Sequence, residues 1–547
     1  MTVASHFFGR ALELPPAQTR AVRVERDLRV PMRDGAVLLA DRYAPPGNKP
    51  PLVLVRSPYG RRGPFGLMYG RLLAERGFQV LVQSCRGTFG SGGTLDPFAE
   101  GDDGLATVAW MRRQPWYPGS FGTAGPSYLG VTQWAIAAVA GPELKGIAAQ
   151  ITTSDPPATI YQGGAFALET MLRWIDETAR QERRLAMLRQ RRAAARLQPF
   201  LAHLPLAELD RLATGRRVSY WQDWLIHDRP ADPYWASRRY TDGLAVVSAP
   251  VSLVGGWFDP FLPGMLRDYA QLRRAGREPY LLIGPWRHLD QAVIAATVRE
   301  SLAWLRAHLL GDTGQLRPAP VRIFVGGVAD WRDLPTWPPP SQAQRWHLHA
   351  GYGLGRQPPA AAEPDRYTYD PAKPTPSLGG PSEPRSGLAQ PDNHALESRP
   401  DVLVYTSPPL DRDLEVIGQA TAELFVRSSR GHTDFFARLC DVDPSGRSVN
   451  ICDGLLRLSP GNPPPGPGGV IQSRINLWPT AHCFRAGHRL RLQVSSGAHP
   501  RYARNTGTGE PIATATTLAS AHQHVYHDPS HPSAILLPVS NSQVAVR

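Results

Sequence analysis

A serine between two glycines constrains this chain more than any other feature. Ser127 lies in the run Phe121-Gly-Thr-Ala-Gly-Pro-Ser-Tyr-Leu-Gly130, which follows an apolar stretch and precedes residues 131–138, where the sequence predicts a helix. A serine at such a strand-to-helix turn exposes its hydroxyl, and the strained backbone requires small neighbours. The spacing is G-x-S-Y-x-G rather than the strict G-x-S-x-G, so the run alone is also compatible with an ordinary glycine-rich turn.

A nucleophilic serine needs a base to take its proton and an acid to orient that base. Two later apolar runs predict parallel strands, and each is followed by a suitable residue: Asp259 after Val251-Ser-Leu-Val-Gly-Gly-Trp-Phe258, and His288 after Tyr280-Leu-Leu-Ile-Gly-Pro-Trp-Arg287. Ligands of open α/β sheets bind beyond the carboxyl ends of the strands, and the chain order Ser, Asp, His is typical of one such fold. Singly, Asp259 is compatible with a turn and His288 with a surface position. Together they predict a Ser127–His288–Asp259 catalytic triad.

The pattern of the whole chain predicts an α/β core with two additions. Residues 1–150 alternate strand-like and helical runs, residues 151–243 are helix-rich, and residues 244–342 resume the α/β pattern. Residues 343–547 show short alternating strands punctuated by turns, which indicate a β-sandwich. We therefore predict an α/β core, interrupted by a helical cap over the site and followed by a β-sandwich domain.

The charge of the chain does not require a nucleic-acid partner. The net charge is +13, but only Lys49, Lys145 and Lys373 are lysines among 60 basic residues. Such arginine dominance, with abundant alanine, glycine and proline, is typical of a GC-rich genome. No stretch reaches the roughly 20 apolar residues that span a bilayer, and the N-terminus lacks a secretory pattern. We expect a cytoplasmic protein that binds neither nucleic acid nor membrane.

The four cysteines predict neither a disulfide framework nor a metal site. Cys85, Cys440, Cys452 and Cys483 are widely spaced in 547 residues. A bridge between Cys440 and Cys452 is conceivable because they fall on candidate neighbouring strands, but buried free thiols are favoured.

The chain resembles the cocaine-esterase-like hydrolases, a family of α/β-hydrolases that also includes α-amino-acid ester hydrolases and X-Pro dipeptidyl-peptidases. The resemblance runs almost from end to end and is carried by long motifs in the same order. These motifs are Met32-Arg-Asp-Gly35, Leu39-Ala-Asp-Arg-Tyr43, Arg56-Ser-Pro-Tyr-Gly60, Gly125-Pro-Ser-Tyr-Leu-Gly-Val-Thr-Gln-Trp134, Gly256-Trp-Phe-Asp259, Gly284-Pro-Trp-Arg-His288, Tyr369-Asp-Pro-Ala-Lys-Pro-Thr-Pro-Ser-Leu-Gly-Gly380, Cys452-Asp-Gly454, Gly487-His-Arg-Leu-Arg-Leu-Gln-Val-Ser-Ser496 and Arg504-Asn-Thr506.

The resemblance implies a role for each site residue and a fold for each segment. Ser127 matches the nucleophile, His288 the general base and Asp259 its orienting acid, while the Tyr128 backbone N–H and the Tyr59 hydroxyl match the two donors of the oxyanion hole. The last domain would be a jelly roll packed on the α/β-hydrolase core. Pro126 departs from expectation, since a proline before the serine has no N–H and a fixed φ that either rigidifies the turn or narrows its geometry.

The resemblance also implies hydrolysis of a small-molecule ester without a cofactor, and it leaves open amide acylase or X-Pro dipeptidyl-peptidase activity on the same site. One carboxylate, Asp155, lies where related amino-acid ester hydrolases bind the substrate amine, but no acidic cluster accompanies it, which favours a substrate without a free amine. A catalytically inactive binding module is disfavoured because every triad position is occupied. A homodimer is compatible with the sequence. The expected substrate pocket is aromatic, although several of its rings are equally compatible with core positions: Phe166, Trp174, Trp257, Phe258 and Phe261.

Overall fold

The computed structural model describes residues 3–183, 193–381 and 390–540, and these residues form two compact units. The first unit comprises residues 3–159, 180–183 and 231–322. The second comprises residues 160–179, 193–230, 323–381 and 390–540. The boundaries predicted for the four sequence segments stay predictions, and the part of the cap at residues 184–192 lies outside the described residues.

A mostly parallel sheet organises the first unit. The strands of this sheet that lie entirely in the first unit are β1 (Arg23–Pro31), β2 (Val37–Ala44), β3 (Leu52–Ser57), β4 (Gln79–Ser84), β5 (Phe121–Pro126), β6 (Leu144–Gln150), β7 (Val251–Phe258) and β8 (Tyr280–Arg287). They are hydrogen-bonded in the order β1-β2-β4-β3-β5-β6-β7-β8. β1 and β2 are antiparallel, whereas β3 to β8 run parallel, so the carboxyl ends of six strands meet at one edge.

The central strands are buried on both faces, as parallel strands covered by helices are. Every residue of β3, β4 and β5 is buried, which explains their continuous apolar runs. The longer helices are α1 (Val3–Ala11), α2 (Gly101–Arg112), α3 (Tyr128–Ala137), α4 (Leu262–Arg274) and α5 (Gln291–Leu310). All ten residues of α3 are buried, which places this helix in the core directly after Ser127. Shorter helical pieces are Gly63–Phe65, the π-helix Gly66–Arg71, Leu72–Ala74, Pro233–Arg238 and Thr241–Val246.

Helices with two small strands begin the second unit. A short helix, Pro157–Ile160, leads into this segment. The segment then contains Tyr161–Gln162, Ala165–Phe166, Leu168–Arg180, Ala193–Leu197, Gln198–Phe200, Leu206–Glu208, Leu209–Thr214 and Ser219–Ile226. It is joined by hydrogen bonds to the β-domain, since the Ala503 N–H donates to the Phe166 carbonyl at 2.8 Å and the Arg457 N–H donates to the Gly163 carbonyl at 2.8 Å. The predicted helical character is therefore present, and much of this segment folds with the C-terminal domain.

The C-terminal part of the second unit is a β-domain whose strands are almost all antiparallel. Strands Val321–Val325 and Asp330–Leu334 precede it, and short helical pieces lie at Ala350–Tyr352, His394–Glu397 and Pro467–Gly469. Its longest strand, Leu414–Ser428, pairs with Ile471–Phe484 through most of its length. The other strands are Ser341–His349, Gly353–Gly355, Asp365–Tyr369, Leu403–Thr406, Thr433–Val442, Ser448–Leu458, Arg489–Ser495, Ala521–Asp528, His531–Pro532 and Ala534–Ser540. The predicted architecture of an α/β core with a C-terminal β-domain is confirmed.

A buried carboxylate explains two of the C-terminal sequence motifs. Asp453 is fully buried and accepts hydrogen bonds from Arg501 Nη1 at 2.7 Å and Asn450 Nδ2 at 2.8 Å. A Cβ atom at Gly380 would lie 2.5 Å from its Oδ2, and Gly380 has a φ of +75°, so only glycine fits there. The motifs ending at Gly380 and centred on Asp453 are thus in direct contact.

All four cysteines are buried free thiols, so the bridge between Cys440 and Cys452 does not form. Within the described ranges, no helix is both long enough and apolar enough to cross a membrane.

Candidate active site

The turn at Ser127 has the strained backbone that the sequence predicted. Ser127 follows β5 and precedes α3, with φ 58° and ψ −126°, a positive φ that non-glycine residues rarely adopt. A Cβ at Gly125 would lie 2.6 Å from Leu129, and one at Gly130 would lie 2.3 Å from Thr152. Both glycines of the motif are therefore required by close packing around the turn.

Pro126 fits this turn without loss of a backbone hydrogen bond at the serine. Pro126 is the last residue of β5 and is paired with Gln150 of β6, and the Ser127 N–H donates to the Gln150 carbonyl at 2.9 Å. The proline fixes the backbone immediately before the turn.

Ser127, His288 and Asp259 form one hydrogen-bonded chain. His288 Nε2 lies 2.9 Å from Ser127 Oγ, and His288 Nδ1 lies 2.7 Å from Asp259 Oδ2. This geometry allows the imidazole to donate from Nδ1 to the carboxylate while Nε2 accepts from the serine hydroxyl. Asp259 and His288 are 1% and 6% exposed, so bulk water does not compete for the bond between them.

Phe261 contacts both Asp259 and His288 and restricts the orientation of their side chains. Its backbone N–H donates to the second oxygen of Asp259, Oδ1, at 2.8 Å. Its ring packs against the imidazole of His288, with centroids 5.2 Å apart and an interplanar angle of 37°. Asp259 therefore uses one oxygen for its own turn and the other for the histidine, which prevents the carboxylate from rotating.

The glycines of the Gly256-Trp-Phe-Asp and Gly284-Pro-Trp-Arg-His motifs accommodate one tryptophan. A Cβ at Gly256 would lie 2.2 Å from the Trp286 carbonyl oxygen, and one at Gly284 would lie 2.4 Å from the Trp286 ring. Trp286 also packs against the small core cluster that includes Ile151 and Val254. This packing sets the distance between the ends of β7 and β8, and hence between Asp259 and His288.

Tyr59 lies two residues beyond the end of β3, at the same edge of the sheet as Ser127. Its ring stacks on Phe65 at 5.4 Å and meets Tyr128 edge-on at 6.5 Å between centroids. Its N–H donates to Ser57 Oγ at 3.1 Å, and Gln181 Nε2 donates to the preceding carbonyl, that of Pro58, at 2.9 Å. The π-helix that follows Phe65 is a rare element, often found beside functional sites.

Tyr128, the first residue of α3, is held by a buried carboxylate that the sequence did not predict. Its hydroxyl donates to Glu100 Oε1 at 2.7 Å and accepts from the Phe98 N–H at 2.9 Å. Burial, and secondly the negative charge of Glu100, raises the pKa of Tyr128 well above its usual value, so the hydroxyl stays protonated. No local pattern marks Glu100, whereas its ion-pair partner Arg56 at least falls in a family motif.

The predicted pocket aromatics fall into two groups. Phe166 and Trp257 are core residues, 0% and 6% exposed, and Phe166 packs against Trp221 within the second unit. Trp174, Phe258 and Phe261 are partly exposed, with Trp174 in the second unit and the other two in the first. The Phe261 ring contacts the His288 imidazole, and the pocket role of all five residues stays a prediction.

Asp155 is neutralised by arginines. Its carboxylate lies 3.0 Å from Arg239 Nε and 3.9 Å from Arg267 Nη2, and its side chain is 21% exposed. A substrate ammonium group would have to compete with two guanidinium groups for this carboxylate. Among the residues that the structure describes, no three His, Cys, Asp or Glu side chains are grouped so as to hold a metal ion.

A second carboxylate anchors the segment that leads to Asp155. Asp268 of α4 is buried and accepts from Ser154 Oγ at 2.6 Å and from the Ser154 N–H at 2.7 Å. Burial raises the pKa of Asp268 to about 6, although the two hydrogen bonds from Ser154 oppose this shift. Asp268 thereby ties the end of β6 to the helix that follows Asp259.

Comparisons with known proteins agree over nearly the whole chain. Residues 34–290 match the model of the X-Pro dipeptidyl-peptidase (S15 family), and residues 314–536 match that of the X-Pro dipeptidyl-peptidase C-terminal non-catalytic domain. The chain is 33% identical to a cocaine esterase from Rhodococcus sp., covering 94% of this chain and 98% of that protein.

Two solved structures share the fold. An α-amino acid ester hydrolase superposes with a TM-score of 0.80 at 22% identity, covering 96% of this chain and 98% of the other. An aminopeptidase from a marine sediment archaeon, Thaumarchaeota archaeon, gives a TM-score of 0.77 at 22% identity, covering 97% and 99%.

The packing of Trp286 yields a test of how Asp259 and His288 are positioned relative to each other. We expect Gly256→Ala to lower kcat at least about tenfold, because the new Cβ displaces backbone at the ends of β7 and β8 and small displacements of catalytic groups are costly. Gly101→Ala is the matched control, since its Cβ would meet only the Ala135 carbonyl, at 3.8 Å. Activity on a p-nitrophenyl ester and thermal unfolding are measured for both; wild-type kcat in Gly256→Ala would contradict the assigned role of this packing.

Proposed function

Because this chain belongs to the cocaine-esterase-like hydrolases of the X-Pro dipeptidyl-peptidase (S15) family, we propose that it cleaves carboxylic esters through an acyl-enzyme formed on Ser127. Membership of this family makes the chain a serine hydrolase of ester or peptide substrates. The choice of ester and the role of each side chain are the parts that we propose.

The hydrogen-bonded chain from Ser127 through His288 to Asp259 carries the proposal. Ser127 Oγ attacks the ester carbonyl carbon while His288 Nε2 takes the hydroxyl proton, and Asp259 stabilises the imidazolium that forms. The tetrahedral intermediate then collapses, the C–O bond to the alcohol breaks, and His288 returns the proton to the departing oxygen. In the second half of the reaction a water molecule attacks the acyl carbon while His288 takes its proton. The bond between the acyl carbon and Ser127 Oγ then breaks, His288 returns the proton to Oγ, and the carboxylic acid is released.

Two donors are proposed for the negative oxygen of the intermediate. The Tyr128 N–H lies at the N-terminal end of α3, where backbone N–H groups and the helix dipole favour negative charge. The Tyr59 hydroxyl is the proposed second donor, supported by the contact of its ring with that of Tyr128. Each such donor lowers the barrier by a few kcal/mol, about 3–4, when it is aligned with the oxygen.

The pairing of Asp155 supports a substrate without a free amine. A peptidase that removes dipeptides from a free N-terminus, or an amino-acid ester hydrolase, has to bind an ammonium group near the scissile bond. The carboxylate that could do so here already has Arg239 and Arg267 as partners. The proposed reaction uses only side chains and backbone groups of this chain.

The triad assignment predicts the effect of removing its members. We expect Ser127→Ala to lower kcat on a p-nitrophenyl ester by about 10⁵–10⁶ while the fold is kept, because the nucleophile is lost. His288→Ala should lose nearly as much, and the double variant little more, because triad members act as a unit. Circular dichroism and thermal unfolding control for folding. If the fold-reduction in kcat of the double variant equals the product of the two single reductions, His288 acts independently of Ser127.

Tyr59→Phe tests the second oxyanion donor. The change removes one hydroxyl and keeps the ring that stacks on Phe65, so stability should be almost unchanged. We expect kcat to fall by about 10²–10³ with KM nearly constant, because the oxygen is fully charged only near the transition state. A kcat in Tyr59→Phe equal to that of the wild type would show that the Tyr59 hydroxyl is not an oxyanion donor and that backbone N–H groups are the donors.

A substrate panel tests the ester assignment. We expect the highest kcat/KM on an ester that lacks a free amine, measured against an α-amino-acid ester, an aromatic ester and an X-Pro p-nitroanilide. Preference for the X-Pro anilide would overturn the esterase proposal in favour of the peptidase activity found in the same family. The Arg239→Ala/Arg267→Ala double variant is the internal control, since exposing Asp155 should raise relative activity on the α-amino-acid ester.

A further inference from the structure

A buried ion pair between Arg56 and Glu100 contacts the side chain of Tyr128 and has no part in the mechanism above. Arg56 Nη2 and Glu100 Oε2 are 2.8 Å apart, and their side chains are only 1% and 4% exposed. Removing two charges from water costs free energy, and this cost often exceeds the attraction between the charges. The presence of a buried pair is therefore weak evidence that it stabilises the fold. Its surroundings indicate a more specific use.

Glu100 connects the pair to Tyr128. Its Oε1 accepts the Tyr128 hydroxyl proton at 2.7 Å, and that hydroxyl in turn accepts the Phe98 N–H at 2.9 Å. The Tyr128 ring also stacks on Phe98, with centroids 5.2 Å apart. A side chain fixed at its ring and at its hydroxyl fixes the backbone that carries it, and the Tyr128 backbone N–H is the proposed first oxyanion donor.

Arg56 connects the same pair to Tyr59. It lies near the end of β3, three residues before Tyr59, and its Nε donates to Gln83 Oε1 of the neighbouring strand at 2.8 Å. Its Nη1 donates to the Glu100 carbonyl at 3.1 Å. The strand end from which the Tyr59 loop departs is thus bound to the residue that holds Tyr128.

We infer that the Arg56–Glu100 pair positions the two oxyanion donors relative to each other, so that both residues are positioning residues of the catalytic site. This inference rests on the proposed function of Tyr59 and Tyr128. Because Arg56 Nη1 donates to the Glu100 carbonyl and the Tyr128 hydroxyl donates to the Glu100 carboxylate, the buried ion pair links both elements through directional bonds. Neither Arg56 nor Glu100 has to contact the substrate for this effect.

Tyr128→Phe tests the inference without leaving an unpaired charge in the interior. Glu100→Gln would leave the Arg56 charge unpaired and could prevent folding, whereas Tyr128→Phe removes only the hydroxyl through which Glu100 acts. We expect kcat on a p-nitrophenyl ester to fall about tenfold, with KM changed less than about twofold, because misplaced groups affect mainly the transition state.

An inhibitor that mimics the intermediate separates positioning from a merely structural role. Ser127 Oγ adds to the boron of phenylboronic acid and its proton passes to His288, which gives a tetrahedral boronate anion in the proposed oxyanion hole. We expect its Ki to rise about tenfold in Tyr128→Phe, in parallel with the loss of kcat. When Tyr128→Phe is added to Tyr59→Phe, the further rise in Ki should be smaller, because the Tyr59 hydroxyl that would be misaligned is already absent.

Tyr405→Phe is the matched control. Tyr405 is fully buried in the β-domain and its hydroxyl donates to the Asp365 carboxylate at 2.8 Å, so the same kind of bond is deleted far along the chain. It should lower the thermal midpoint with kcat and Ki unchanged. If Tyr128→Phe behaves like this control, the Arg56–Glu100 pair is structural only and the inference is wrong. Failure of the proposed function itself would appear separately, as activity retained in Ser127→Ala.

Discussion

The parallel pairing of β5 with β6 determines where Ser127, and with it the proposed chemistry, is located. Pro126 pairs with Gln150, and the Ser127 N–H still bonds to the same residue, so the chain leaves the sheet only after the serine backbone has been fixed. The helix that begins at Tyr128 must then turn back over a fully packed strand. Since β3, β7 and β8 end at the same edge, the other site residues arrive at that turn without long loops.

This dependence explains why the hydrogen-bonded chain of Ser127, His288 and Asp259 could be predicted from the sequence. Ser127, Asp259 and His288 each follow an apolar run, and a parallel sheet brings the ends of such runs together. Glu100 could not be found in this way. It contacts Tyr128 from a position 28 residues earlier in the chain, and its importance arises from a tertiary hydrogen bond rather than from a motif or a period.

Residue type alone was a weaker guide where the environment decides the role. Asp155 has the chemistry of an amine-binding group, but its partner Arg239 is 84 residues away in sequence, and only the fold reveals the neutralisation. Phe166 and Phe261 are the same residue type near predicted functional segments, yet Phe166 is completely buried and Phe261 packs on the imidazole of His288. Likewise, the helical character of residues 160–179 was predictable, whereas their association with the β-domain depends on bonds to residues far along the chain.

The positive φ of Ser127 has a consequence for how such a site is maintained. A glycine at this position would adopt φ 58° without steric cost, whereas serine is held there against its own preference by the strands and helix on either side. Glycine, the residue that adopts this backbone conformation with the least strain, has no side chain that could perform nucleophilic attack. Relief of backbone strain and the proposed catalysis favour different residues at this position, so drift towards lower strain would tend to remove the proposed nucleophile, and only selection for turnover would oppose it.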